Sequence, residues 1–305
     1  MALPSILGIR KRHQTNGQLS TNLDTQSAST RYGNVSKADL KRATKTRRIA
    51  TMIASFSYLL SVIFLLLVII GNINGSGALP SIYFFKLDLA DIIPQSAPNA
   101  NLINSIARTI GLHDFYQVGL WNFCEGYADT GITYCSKPQR LYWFNPVKIL
   151  MNELLAGATI ALPTQVVQIL DILRLTSQLM FGFFMAGIVL NFVLMLASFL
   201  AVRSRWVSLP FGIISCLAGL VVLAATVIGT VISLVFKIAA ESQSELNIHA
   251  YVGVKMFVFM WLAVGFTGLS FIIHSGMGCC CTSQRDIKIG RKKIREKSPV
   301  ASTAS

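Results

Sequence analysis

Four apolar stretches, each long enough to cross a lipid bilayer, constrain this chain more than any other feature of its sequence. They lie at residues 49–73, 178–202, 206–236 and 254–275. A hydrocarbon core of ~30 Å takes roughly 20 helical residues at 1.5 Å each. None of the four contains Asp or Glu, and basic residues occur only at their ends, as the cost of a charge in mid-bilayer requires. In lipid the backbone N–H and C=O groups must be satisfied within the segment, so each stretch is expected to be a helix. The implied fold class is an all-α transmembrane four-helix bundle. A composition of 53% hydrophobic and 13% charged residues is far from that of an ordinary soluble domain.

A formal net charge of +14 would suggest nucleic acid in a soluble protein, so the position of the charge decides its meaning. Residues 1–48 hold ten Lys/Arg against two acids, and the tail 276–305 holds seven against two. Residues 75–176 are nearly neutral, with six basic and seven acidic side chains. By the positive-inside rule both termini are cytosolic and the long loop, 74–177, is extracytoplasmic. Arg203 and Arg205, in the turn between the second and third spans, fall on the cytosolic side too, and 237–253 forms a short second outer loop. The first span should act as an uncleaved anchor, being longer than a secretory signal and preceded by 48 polar residues. That preceding segment is rich in Ser, Thr, Asn and Gln and is expected to be disordered up to about Ser36. Nucleic acid is not an expected partner.

The long loop has its own pattern. Ile82 to Leu89 alternates aromatic and branched residues with Lys86 and Asp88 and reads as a half-buried strand. Residues 102–112 read as a short amphipathic helix. The stretches GLWNFCEGY and ITYCSKPQRLYWF read as strands. Pro146 to Thr176 is apolar but broken by Lys148, Glu153, Pro163, Asp171 and Arg174, which predicts a helix along the outer membrane surface feeding the second span.

Cys124 and Cys135 are the loop's two cysteines, with ten residues between them. On the outer side the redox environment favours a disulfide, and two thiols with no nearby His make a poor zinc set. The spacing GLW-x2-C-x10-C, with Gly119, Leu120 and Trp121 ahead of Cys124, resembles that of the claudin superfamily. More closely, DFYQVGLWNFCEG, followed by TYCSKP and the WFNP of Trp143 to Pro146, resembles the fungal Sur/PalI family of cortical four-span proteins. The resemblance runs from about Thr51 to Ile273. It implies a claudin-like bundle with a small disulfide-tied, β-containing extracellular module, and residence in the fungal plasma membrane, often in furrow-associated domains called eisosomes. Implied roles are cell-wall integrity, endocytosis or sporulation, whereas the PalI branch assists sensing of ambient pH. The resemblance also implies that Trp121 packs near the membrane surface; an interfacial aromatic anchor is the alternative. The long N-terminus and short C-terminal tail depart from many relatives and leave the subfamily open.

On the cytosolic side Cys279, Cys280 and Cys281 stand just past the fourth span, where juxtamembrane cysteines are candidates for palmitoylation. The basic residues Arg285, Lys288, Arg291, Lys292, Lys293, Arg295 and Lys297 follow, suited to anionic inner-leaflet lipids at about 1 kcal/mol each. Asn74 opens a glycosylation sequon at the outer end of the first span. Small residues four apart, Gly182 with Ala186, Ser215 with Gly219 and Ala225 with Gly229, allow helices to approach closely, and Asn191 in mid-span requires a hydrogen-bond partner on a neighbouring helix. The four His are scattered and the nucleotide-binding and hydrolase motifs are missing from the sequence. The expectation is therefore a non-enzyme without cofactor or metal, whose partners are membrane lipids, copies of itself or other cortical membrane proteins.

Overall fold

The computed structural model describes residues 45–90, 108–109, 111–153, 164–198, 205–242 and 248–279. Four long helices are each apolar enough to cross a membrane: α1 (Lys45–Ile70), α3 (Thr164–Ala197), α4 (Arg205–Glu241) and α5 (Val254–Cys279), with a short α2 (Pro146–Glu153) in the long loop. Helix α5 packs on α1 and α4, and α3 packs on α4 and α1, which closes a ring of four.

Hydropathy does not say which face of a spanning helix turns inward, because lipid is as apolar as a core. Small and hydroxyl residues do. On α1 the buried positions include Ala54, Tyr58, Ser61, Leu65 and Val68, alternately four and three residues apart, the spacing of left-handed helix packing. Its Met52, Phe56, Ile63 and Leu66 face outward instead. The ring is tied together in mid-bilayer. Thr267 Oγ1 lies 3.0 Å from Asn191 Oδ1 and 2.8 Å from Ser61 Oγ, while Asn191 Nδ2 donates to the Gly187 carbonyl at 2.8 Å. Asn191 thus finds its partner on another helix, and three helices share the contact. Lower in the bundle, the Tyr58 hydroxyl is 2.7 Å from Ser215 Oγ, and Ser270 Oγ donates to the Ala54 carbonyl at 3.1 Å.

Of the small residues singled out, Gly182 meets open space, whereas a Cβ on Gly229 would lie 2.9 Å from Phe84. The tightest helix approach falls on Gly187, where a Cβ would stand 2.6 Å from Val222.

A five-stranded antiparallel sheet sits on one end of the bundle: β1 (Phe85–Asp88), β2 (Phe115–Val118), β3 (Phe123–Tyr127), β4 (Gly131–Cys135) and β5 (His249–Val252). The spatial order is β4-β3-β2-β1-β5. Strand β5 belongs to the short second loop and pairs with β1, Phe85 opposite Val252. The sheet's inner residues Phe84, Phe85, Val118 and Leu120 join Phe144 and the helix residues Met180, Phe184, Met256 and Met260 in one buried cluster. At its centre Phe85 stacks on Phe236 of α4 at 4.3 Å, and Phe144 meets both edge-on.

Two local differences from the sequence reading have physical causes. Strands β2 and β5 were not expected, because four-residue strands are too short for a periodic signal to stand out. The expected surface helix at Pro146 to Thr176 divides: α2 ends at Glu153, and the residues from Thr164 already belong to α3. With 34 residues, α3 is about 51 Å long at 1.5 Å per residue, more than a hydrocarbon core of ~30 Å takes, and Asp171 and Arg174 in its first turns are exposed. A charge ends an apolar window but not a helical hydrogen-bond ladder. The amphipathic helix expected at 102–112 lies largely outside the described residues.

Candidate functional site

The motif residues of the long loop converge where the sheet meets the bundle. Cys124 and Cys135 face each other across β3 and β4 and are joined by a disulfide, with the Cys124 side chain fully buried. Between β2 and β3 the chain turns within four residues, Gly119 N–H donating to the Asn122 carbonyl at 2.9 Å. That turn sends Leu120 into the core and lays Trp121 edge-on against Phe181 of α3, ring centroids 4.7 Å apart. Trp121 is therefore a half-buried wedge on the second spanning helix. Gly119 is required by proximity: a Cβ there would stand 2.8 Å from Asn72 Cβ and 3.0 Å from the Gly71 carbonyl oxygen.

Three amides that the sequence reading passed over secure this junction. Asn72, buried just past α1, adopts a left-handed φ of 58°, a conformation Asn tolerates better than most residues. Gln117 Nε2 donates to Asn72 Oδ1 at 2.6 Å and also to the Pro80 carbonyl, and Asn72 Nδ2 donates back to the Gln117 carbonyl at 3.0 Å. Asn122 Nδ2 reaches the carbonyls of Ile73, at 3.2 Å, and Ser136, at 3.0 Å. Only their position after a membrane exit or beside the GLW motif could have drawn attention to them.

The sheet also carries a charged cluster. Arg108 bridges Asp114 and Asp129 and lies over the Tyr127 ring at 4.4 Å. The hydrogen bond from Arg108 holds the exposed Asp129 carboxyl below its usual range. His113 stacks on Tyr127 at 4.8 Å, with Nδ1 3.8 Å from the buried Glu125 carboxylate. The fold thus draws the neighbouring His113 and Asp114 into a network with β3.

Two cavities flank α2. One, of about 510 Å³, is lined by Phe123, Ser136, Gln139, Leu141, Tyr142, Trp143, Asn145, Lys148, Ile149 and Arg174. The other, about 310 Å³ and almost wholly apolar, lies between β1, β2 and the sheet end of α4 and shares Ile149 with the first. Burial raises the Tyr142 hydroxyl well above the ordinary tyrosine range and raises Tyr83 less.

At the opposite end of the bundle, Arg47 and His274 are both buried, and His274 stacks between Tyr58 and Phe211 at 5.9 and 6.0 Å. Asn74 is exposed beyond α1, and Cys279 is the last residue of α5. Cys280, Cys281 and the basic residues from Arg285 to Lys297 lie outside the described residues.

A family model for the SUR7/PalI family matches residues 50–273. The chain belongs to the SUR7/PalI family. The matched range begins in α1 and ends in α5, so it takes in all four spans and the whole sheet. Among curated proteins the chain is similar to the SUR7 family protein pun1 of Schizosaccharomyces pombe, 24% identical over 255 residues, covering 70% of this chain and 87% of that protein. For a SUR7/PalI family protein, the disulfide, the Gly119–Trp121 turn and the amide junction form one structural unit on the membrane surface.

Proposed function

We propose that this SUR7/PalI family protein is a structural organiser of a cortical plasma-membrane domain of the eisosome type, serving cell-wall integrity, endocytosis or sporulation rather than catalysis. The observation that carries this reading is the continuity of sheet and bundle. Strands from both outer loops pair in one sheet, and that sheet shares a core with α3, α4 and α5. An outer platform built this way moves with the spans, which suits lateral assembly and presentation of a fixed surface toward a wall. In this reading both basic termini are cytosolic. Acyl chains on Cys279, Cys280 and Cys281, with the basic tail on anionic inner-leaflet lipid, hold the C-terminus to the membrane. Lateral partners are further copies or other cortical membrane proteins.

Time-lapse imaging of the fluorescently tagged protein beside a furrow marker in living fungal cells tests the reading. Immobile cortical patches that coincide with the marker are the expected result; diffuse, mobile or endosomal signal overturns it.

A second reading, an accessory of ambient-pH signalling, is favoured by one observation, the ionisable His113–Glu125 pair on the sheet. Growth of a deletion strain at alkaline pH separates the two: a specific alkaline defect with unaltered cortical patches supports the accessory role.

A further inference from the structure

We propose that the cavity beside α2 is a binding site for a membrane lipid with a phosphate-bearing, net-negative headgroup, in the leaflet on the sheet side. Two cations from separate elements line it, Lys148 of α2 and Arg174 of α3, and none of the described lining residues is acidic. Among the described residues neither cation has an acidic partner within 4 Å. A volume of about 510 Å³ falls within the roughly 300–1,000 Å³ range of small-molecule sites.

The place of the cavity along α3 favours a lipid as its occupant. Ser177 and Met180 of α3 line a small cavity with Trp143 and Leu120 where the sheet rests on the bundle, and Arg174 lies about 4.5 Å nearer the start of the helix than Ser177. A charged side chain near the end of a spanning helix belongs at headgroup level, because its cost rises steeply deeper in the bilayer. Beyond Arg174 the same helix exposes Leu175, at 60%, and Leu179, at 45%, apolar surface that suits a hydrocarbon tail. Tyr142 and Trp143 wall the cavity with aromatic rings of the kind that favour the bilayer interface. Gln139 adds a neutral hydrogen-bonding group. A guanidinium matches phosphate oxygens in bidentate geometry and an ammonium adds a point charge. The combination of paired cations with an apolar surface fits an anionic lipid better than a zwitterionic one, whose own cation would be repelled, or a soluble anion, which has no use for that surface.

The test uses the purified full chain in detergent and short-chain fluorescent phosphatidylinositol and phosphatidylcholine as probes. The wild-type chain is expected to prefer phosphatidylinositol, and the double variant K148Q/R174Q to lose roughly tenfold or more of that preference, at about one surface-charge contribution per cation. The charge-conserving K148R/R174K should keep it, and K237Q, which removes a cation outside the cavity, should leave it unchanged. A K148Q/R174Q preference equal to wild type, or an equal loss in K237Q, overturns the proposal. Displacement of the lipid by free glycerophosphoinositol at equal affinity shows a soluble-anion site and overturns it as well. Should the double variant fail to fold, the wild-type chain still decides: brominated phosphatidylinositol should quench a tryptophan signal that is missing in W143F, and equal quenching by brominated phosphatidylcholine refutes the anionic preference.

Discussion

Asn72 and Gln117 hold the first spanning helix to the middle strand of the sheet by a reciprocal pair of hydrogen bonds, Gln117 Nε2 to Asn72 Oδ1 at 2.6 Å and Asn72 Nδ2 to the Gln117 carbonyl at 3.0 Å. Both side chains are buried, so removing one leaves the other's polar atoms without water. Gln117→Leu is expected to cost about 1–3 kcal/mol, seen as a lower thermal midpoint of the detergent-purified chain. A midpoint equal to that of wild type would show that the pair contributes nothing to fastening the sheet.

Reduction or removal of the disulfide should loosen the same module. The bridge closes a short loop, for which the chain-entropy estimate is on the order of 3 kcal/mol. Cys124→Ser is expected to be retained in the secretory pathway, read by surface labelling against total protein. Normal surface delivery counts against a required bridge.

Gly119→Ala should be costly and Gly182→Ala harmless. The first places a methyl 2.8 Å from Asn72 Cβ and 3.0 Å from a backbone carbonyl, whereas the second meets nothing within 4 Å. Overpacking against backbone costs about 1–3 kcal/mol. Comparison of the two thermal midpoints checks the difference, and equal midpoints refute it.

In mid-bilayer, Thr267→Val deprives Asn191 Oδ1 of the hydroxyl 3.0 Å away. Interhelical hydrogen bonds in membranes average about 0.6 kcal/mol, reaching about 1.7, so a modest loss is expected. A double-mutant cycle with Asn191→Leu measures the coupling; strict additivity refutes the contact.

Tyr142 sets an alkaline limit on the outer module. Burial raises its hydroxyl above the ordinary value of about 10, so between the unfolded and folded values the folded chain holds a proton that the unfolded chain has released. Stability from this group is complete below about pH 10 and is lost as pH rises further. Tyr142→Phe should flatten that loss in unfolding measured across the alkaline range, and an unchanged slope assigns it elsewhere.

The sequence by itself determined the number of spanning helices, because length and freedom from charge suffice to identify a segment stable in lipid. It also singled out the two cysteines of the long loop, which the fold joins to each other. It pointed to Gly119, Leu120 and Trp121 as a motif without the reason for the glycine, since the reason is the approach of Asn72, 47 positions earlier in the chain.

The tertiary structure alone decided which faces of the helices turn inward, as both surroundings are apolar and only the packing of Ser61, Asn191 and Thr267 distinguishes them. It decided that His249 to Val252 completes the sheet: four residues carry too little pattern to announce a strand, and the partner in β1 is more than 160 positions away. It also brought Lys148 and Arg174 to one cavity, because the fold of the loop, and not the spacing of the two cations, places α2 beside the first turns of α3.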